Sequence, residues 1–125
     1  MAKNITMTEA EERLAGLIWR EGPLMSPELA ILAEGEFGWK KSTTYTLLRR
    51  LCNKGVLRNE NARVSAVYTR EEQTARQSYH YIADTFGGSL PQFVASFIRS
   101  GNLSSEEVSE IRQLIDEYDE DGGHD

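Results

Sequence analysis

Trp39-Lys40-Lys41-Ser42-Thr43-Thr44-Tyr45-Thr46-Leu47-Leu48-Arg49-Arg50-Leu51-Cys52-Asn53-Lys54-Gly55 is the stretch on which the fold turns. Its periodicity predicts a helix from about Lys41 to Lys54, stopped by Gly55. Thr44, Leu47, Leu48 and Leu51 share one face. Ser42, Thr43, Thr46, Arg49, Arg50 and Asn53 share the other, where every side chain is a hydrogen-bonding group or a cation and none is acidic. A helix of this kind needs a core on one side and suits a negatively charged, hydrogen-bonding partner on the other.

The flanking segments supply the core. Upstream, Thr8 with Glu11 three residues later has capping-box spacing, and Leu14, Leu17, Ile18 and Trp19 follow before Glu21-Gly22-Pro23 stops the helix. Ser26-Pro27 opens a second, short helix, Ser26 as its cap and Pro27 at its first position, with Leu29, Leu32 and Ala33 inward, and Gly35 and Gly38 are expected to break it. Downstream, Val56-Leu57-Arg58 and Val64-Ser65-Ala66-Val67-Tyr68 read as two strands around a tip at Asn59-Glu60-Asn61-Ala62, with Asn61 suited to a positive φ. Three helices and then a hairpin is the winged-helix order.

A further helical segment follows. Residues 71–86 place Ala75, Tyr79, Ile82 and Phe86 on one stripe. After Gly87-Gly88, Ser89 caps a helix carrying Leu90, Phe93, Val94, Phe97 and Ile98. After Gly101-Asn102, Ser104 and Glu107 form a second capping box ahead of Val108, Ile111, Leu114, Ile115 and Tyr118. Three such helices can pack as a small bundle, but their combined apolar surface is larger than one protomer is expected to hide; the alternative is that they pack back onto the winged helix. A symmetric dimer would bury that surface through Tyr79, Ile82, Phe86, Leu90, Phe93, Val94, Phe97, Val108, Ile111, Leu114 and Ile115. The expected fold class is therefore mainly α with a small β wing: a winged helix-turn-helix over 1–70, a helical dimerisation domain over 71–118 and an acidic disordered tail over 119–125.

Charge separates the two parts. The chain of 125 residues carries a net −6. Residues 40–63 hold seven cations (Lys40, Lys41, Arg49, Arg50, Lys54, Arg58 and Arg63) against Glu60 alone, whereas residues 81–125 hold Arg99 and Arg112 against ten acids. Local charge decides whether a surface attracts phosphates, so the overall acidity does not exclude a nucleic-acid partner. One cysteine, Cys52, excludes an internal disulfide and fits a reduced, cytoplasmic setting. There is no apolar run long enough for a membrane span and no apolar region near Met1 for a secretory signal. No nucleophile–base set and no glycine-rich phosphate loop argues for an enzyme. His80 and His124 lack partners at metal-ligand spacing, so neither a metal nor a cofactor is expected.

Three segments resemble the BlaI/MecI/CopY family of repressors, together spanning about residues 5–116. They are Thr8-Glu9-Ala10-Glu11 through Ile18-Trp19 to Gly22-Pro23-Leu24, the stretch from Trp39 to Gly55, and Phe86-Gly87-Gly88-Ser89-Leu90 with Phe93-Val94-Ala95-Ser96-Phe97. The resemblance implies a cytoplasmic, homodimeric, DNA-binding transcriptional repressor acting on a dyad-symmetric operator of double-stranded DNA, often with TACA and TGTA half-sites. It places Thr43 and Thr46 at the bases, where hydroxyls and methyls suit an A·T-rich half-site. Lys41, Arg49 and Arg50 would hold phosphates, Ser42 and the helix N-terminus would donate to a phosphate oxygen, and Arg63 would reach the backbone from the wing. Arg50 has a rival role in pairing with a carboxylate of its own domain.

Departures from the family pattern narrow the reading. Lys40-Lys41 replaces the family's Ser-Pro, which leaves Ser42 as the candidate cap of the third helix. In penicillinase-type members, a membrane-linked sensor protease leads to cleavage between asparagine and phenylalanine; the matching pair here is Ser96-Phe97, with serine in place of asparagine. No cysteine follows Cys52, so the cysteine cluster of copper-responsive members is missing. An activator would use the same DNA contacts as a repressor. The alternative, a winged-helix module that binds protein and not DNA, would require an apolar or acidic outward face on the third helix.

Overall fold

A computed structural model describes residues 5–122. They fall into two compact units, divided between Tyr81 and Ile82, and each is described by itself. The first unit begins with α1 (Glu9–Glu21), whose N-terminus is closed by the expected box: Glu11 N–H donates to Thr8 Oγ1 at 3.2 Å and Thr8 N–H to Glu11 Oε1 at 2.7 Å. Then come β1 (Leu24–Met25), α2 (Ser26–Phe37), α3 (Lys41–Asn53), β2 (Leu57–Glu60), β3 (Arg63–Ala66) and most of α4 (Arg70–Thr85). Leu14, Leu17 and Ile18 of α1, Leu29 and Ala33 of α2, and Leu47, Leu48 and Leu51 of α3 meet beneath Val56, Leu57 and Val64. Thr44 is buried with them.

The wing has three strands, not two. The order is β1-β3-β2, all antiparallel, with Leu24 opposite Val64 and Leu57 opposite Ala66. A two-residue strand such as β1 is too short to show alternation, so it carries no period in the sequence. The hairpin tip is also tighter than expected. Glu60 pairs with Arg63, leaving only Asn61 and Ala62 in the turn, at φ 52° and 68°. Two central residues with positive φ match the strand twist, as in a type I′ turn. Asn61 takes that conformation readily, whereas Ala62 does so at a cost and is held by donation of Ser26 N–H to its carbonyl at 2.7 Å.

Two helix expectations need correction. Ser26 does not cap α2; it lies buried in the first turn, and the cap position falls to Met25, whose N–H donates to Glu28 Oε1 at 2.9 Å. Gly35 does not break α2, which continues to Phe37 and closes at Gly38 in the left-handed conformation. One interior glycine costs only about 1 kcal/mol, and core contacts of Leu29 and Ala33 on the same helix offset it.

The boundary between units also differs from the expected 70/71. The first half of α4 belongs with the winged helix. Thr69 and Glu72 form a capping box at its start, and Gln73 beneath them is buried. In the second unit, α5 (Leu90–Ser100) follows its Ser89 cap and α6 (Ser105–Glu120) its Ser104–Glu107 box. The edge-to-face series Phe86–Phe93–Phe97, with centroids 5.4 and 5.1 Å apart, links the start of this unit to α5. The expected disordered tail is helical as far as Glu120, because Asp119 and Glu120 extend α6 within hydrogen-bonding reach of its last turn. Residues 123–125 lie outside the described residues.

A buried ion pair joins distant parts of the first unit. Glu11 is 1% exposed, and Lys54 Nζ donates to its Oε1 at 2.6 Å and to Thr6 O at 2.8 Å. Burial pushes the Glu11 carboxyl up, but the Lys54 ammonium and the donors of Thr8 outweigh it and hold the group below its ordinary value. A lowered folded-state value means this contribution is full above pH 4.5 and disappears as pH falls through the folded value. In urea melts at pH 7, Lys54→Met should lose on the order of 3 kcal/mol by leaving Glu11 buried and unpaired. The gap to wild type should narrow as pH falls, because burial without the ammonium raises the variant's Glu11 and lets it take up a proton before the wild-type group does; a gap independent of pH would show that the pair is not ionic. Separately, Ala62→Gly should gain about 0.5–1 kcal/mol in the same melts, relief of left-handed strain exceeding the entropy that glycine adds to the unfolded chain.

Candidate nucleic-acid interface

The outward face of α3 is built by its inward one. Because Thr44, Leu47, Leu48 and Leu51 are fixed in the core, Ser42, Thr43, Thr46, Arg49 and Arg50 are all turned to solvent. Thr43 and Thr46 lie one turn apart, and Lys41 precedes them with Nζ 6.0 Å from the Tyr45 ring centroid. Arg63 stands on β3 beside buried Val64 and points outward by strand alternation. Trp39, half-buried and 4.7 Å from Phe37 by ring centroid, packs at the edge of the core just before α3.

The electrostatics of this face are simpler than the raw charge count. Of the seven cations over residues 40–63, Lys54 is withdrawn into the pair with Glu11, and Arg58 is matched by Glu60 at 3.3 Å. Lys40, Lys41, Arg49, Arg50 and Arg63 form no ion pair among the described residues. Among the described residues, Arg50 meets no carboxylate that would give it its rival role. Lys54, the C-cap of α3, does pair with a carboxylate, and its partner lies 43 positions away and leaves no local signal.

The N-terminus of α3 differs from expectation. Ser42 is the second residue of the helix and caps nothing; Lys40 holds the cap position and offers no side-chain bond. The first-turn N–H groups thus keep their donors turned outward, at the positive end of the helix dipole, beside Lys40 and Lys41. Such an end binds oxyanions. Sequence reasoning also missed Asn59: it is exposed on β2 and shares a shallow depression with Tyr45, Leu48, Arg49 and Cys52. Cys52 packs against the core, and burial pushes its thiol up, away from the reactive thiolate.

The other predicted residues lie in α4 and the second unit. Tyr79 is 74% exposed on α4. Ile82, Phe86, Phe93, Val94 and Val108 are half-buried, and Leu90, Phe97, Ile111, Leu114 and Ile115 are exposed. No described residue of this unit is fully buried. Ser96 and Phe97 sit inside α5, with Ser96 Oγ donating to Phe93 O at 2.6 Å. Cleavage between them would require α5 to unwind, since a protease reads extended chain.

A helix-turn-helix ending in a cationic third helix, backed by a β1-β3-β2 wing, defines a winged-helix protein of the DNA-binding class. The chain belongs to the penicillinase repressor family, whose profile it matches over residues 7–117. It is 25% identical over 122 residues to the "Penicillinase repressor" of Bacillus licheniformis, covering 94% of this chain and 95% of that one. It is 22% identical over 117 residues to the "Methicillin resistance regulatory protein MecI" of Staphylococcus aureus, covering 90% and 95%. An uncharacterised 16.5 kDa protein of Latilactobacillus sakei is 27% identical over 124 residues, covering 92% and 82%. This is a family of transcriptional repressors, not of enzymes. Among the described residues, no helix is long and apolar enough to cross a membrane.

Arg49 and Arg50, exposed and without an ion pair among the described residues, should be dispensable for folding. Arg49→Ala and Arg50→Ala should each melt within about 0.5 kcal/mol of wild type in urea. A larger loss for either would place that side chain in the fold and not at a partner.

Proposed function

We propose that this chain is a homodimeric repressor that binds a dyad-symmetric, A·T-rich operator, each protomer placing the start of α3 in the major groove of one half-site. The observation that carries this reading is the face of α3: hydroxyls at Ser42, Thr43 and Thr46, exposed guanidiniums at Arg49 and Arg50, and no acid. Thr43 and Thr46 would meet base edges and thymine methyls. Lys41, Arg49 and Arg50 would hold phosphates on either side, the uncapped helix N-terminus and Ser42 would take a phosphate oxygen, and Arg63 would brace the neighbouring backbone from the wing. Threonine discriminates bases weakly, so groove shape is expected to share in the specificity.

The dimer would be built by the helical second unit. Its exposed Leu, Ile and Phe side chains would each contribute about 1.5–3 kcal/mol if taken fully from water. Joining two α3 helices makes the second half-site contact effectively intramolecular, which raises affinity without any new contact to DNA. The acidity of α6 favours an orientation facing away from the duplex, since it would otherwise oppose the phosphates.

Fluorescence anisotropy with duplex DNA from upstream of the protein's own gene tests the reading, with random duplex as reference. Wild type should bind tightly, with log K falling against log salt at a slope of roughly −5 to −9 for about 6–10 phosphates neutralised. Thr43→Ala/Thr46→Ala should lose on the order of 1–3 kcal/mol of preference over random DNA. Leu114→Glu should sediment as a monomer and bind more weakly. Failure of wild type to bind either duplex at low salt would overturn the DNA reading; a monomeric wild type that still binds would overturn the dimer alone.

A further inference from the structure

We infer that Arg76 is a positioning residue for DNA recognition: it fixes the direction in which α4 leaves the winged helix by clamping α4 to the C-terminal end of the recognition helix. Its guanidinium is held on three sides. Nη2 donates to the Lys54 carbonyl at 3.0 Å, Nη1 donates to Gln73 Oε1 at 3.0 Å, and the group lies 4.7 Å above the Tyr68 ring centroid. Lys54 is the C-cap of α3 and Tyr68 lies just beyond the wing, so one side chain on α4 reads the positions of both. A cation at the last carbonyls of a helix also meets the negative end of its dipole.

The surroundings are shaped around this contact. Gly55 has φ +77°, and a Cβ there would come within 3.1 Å of Arg76 Nη2. Gln73, which receives the second donor, is fully buried and donates in turn to Ile5 O at 3.3 Å and Gln77 Oε1 at 3.0 Å. The Lys54 main chain is thus fixed by Arg76 while its side chain is fixed by Glu11. Within the first unit, Arg76 sets the angle of the stretch of α4 that reaches residue 81.

This inference rests on the dimeric reading above. If two protomers are joined beyond α4, the angle at which each α4 leaves its winged helix sets the separation of the two recognition helices. Half-site spacing on the operator follows from that separation. Arg76 would therefore govern spacing without touching DNA.

The test is in vitro selection from a random duplex library with full-length wild type, Arg76→Ala and Arg76→Lys, followed by salt titration on the wild-type dyad. Wild type should select a dyad with one sharp spacing. Arg76→Ala should select the same half-site sequence with a broadened or shifted spacing, and should bind the wild-type dyad about tenfold more weakly as the second contact loses effective concentration. Its salt slope should be unchanged. Arg76→Lys keeps the charge but not the planar fork, and should show an intermediate spread; it also decides the question if the alanine variant does not fold. The same sharp spacing in both variants would overturn the inference and leave the dimer standing. A salt slope reduced by about one would overturn it too, by making Arg76 a phosphate contact. A wild type that selects single half-sites would remove the dimeric reading and this inference with it.

Discussion

The Glu11 carboxylate lies inside the first unit against the Lys54 ammonium, and the winged helix is organised around that contact. Glu11 reaches its place only because Thr8 closes the first turn of α1 on it, and Lys54 only because α3 ends there. The Glu11 carboxylate would not be tolerated in that position alone, since removing Lys54 strands it away from water. The second carboxylate oxygen of Glu11 finds no partner among the described residues, so Lys54 and the Thr8 N–H carry the whole compensation. Sequence separation makes this pair a tether: it closes the chain between residues 11 and 54 and so orients α3 against α1.

The same contact changes what the basic segment means. A run of cations looks like one patch in the sequence, but the fold sorts it. Lys54 turns inward to the carboxylate, Arg58 is answered by Glu60 on the wing, and the remaining cations stay at the solvent face of α3, its N-terminus and β3. A net charge of −6 therefore coexists with a locally unopposed positive face. The uncapped start of α3 adds to that face. A helix with no side-chain cap forgoes about 1 kcal/mol, a cost that the adjoining core contacts of α3 offset.

The second unit has the opposite character. Good caps at Ser89 and Ser104 start its helices, and edge-to-face phenylalanines join Phe86 to α5, yet no described residue in it is fully enclosed. Short helices are marginal in water without a packed face. On the proposed reading, a second copy supplies that face, and folding of this unit and dimerisation become one equilibrium. That would make the dimer sensitive to any break within α5.

Much of this was legible because it is local. The capping boxes at Thr8 and Ser104, the inward row of Thr44, Leu47, Leu48 and Leu51, and the positive φ at Asn61 are all set by neighbours within four residues. The family resemblance, carried by three such segments in order, was legible for the same reason. Tertiary structure alone decided the rest. The third strand, Leu24–Met25, exists only because β3 lies alongside it. Gly35 stays helical because its neighbours Leu29 and Ala33 are held in the core. Lys54 and Arg76 tie α1, α3 and α4 together through partners 43 and 22 positions away, which no local pattern marks. Local propensity can form a helix and shape its faces, but only long-range contact chooses which cation faces the partner and which one holds the helix in place.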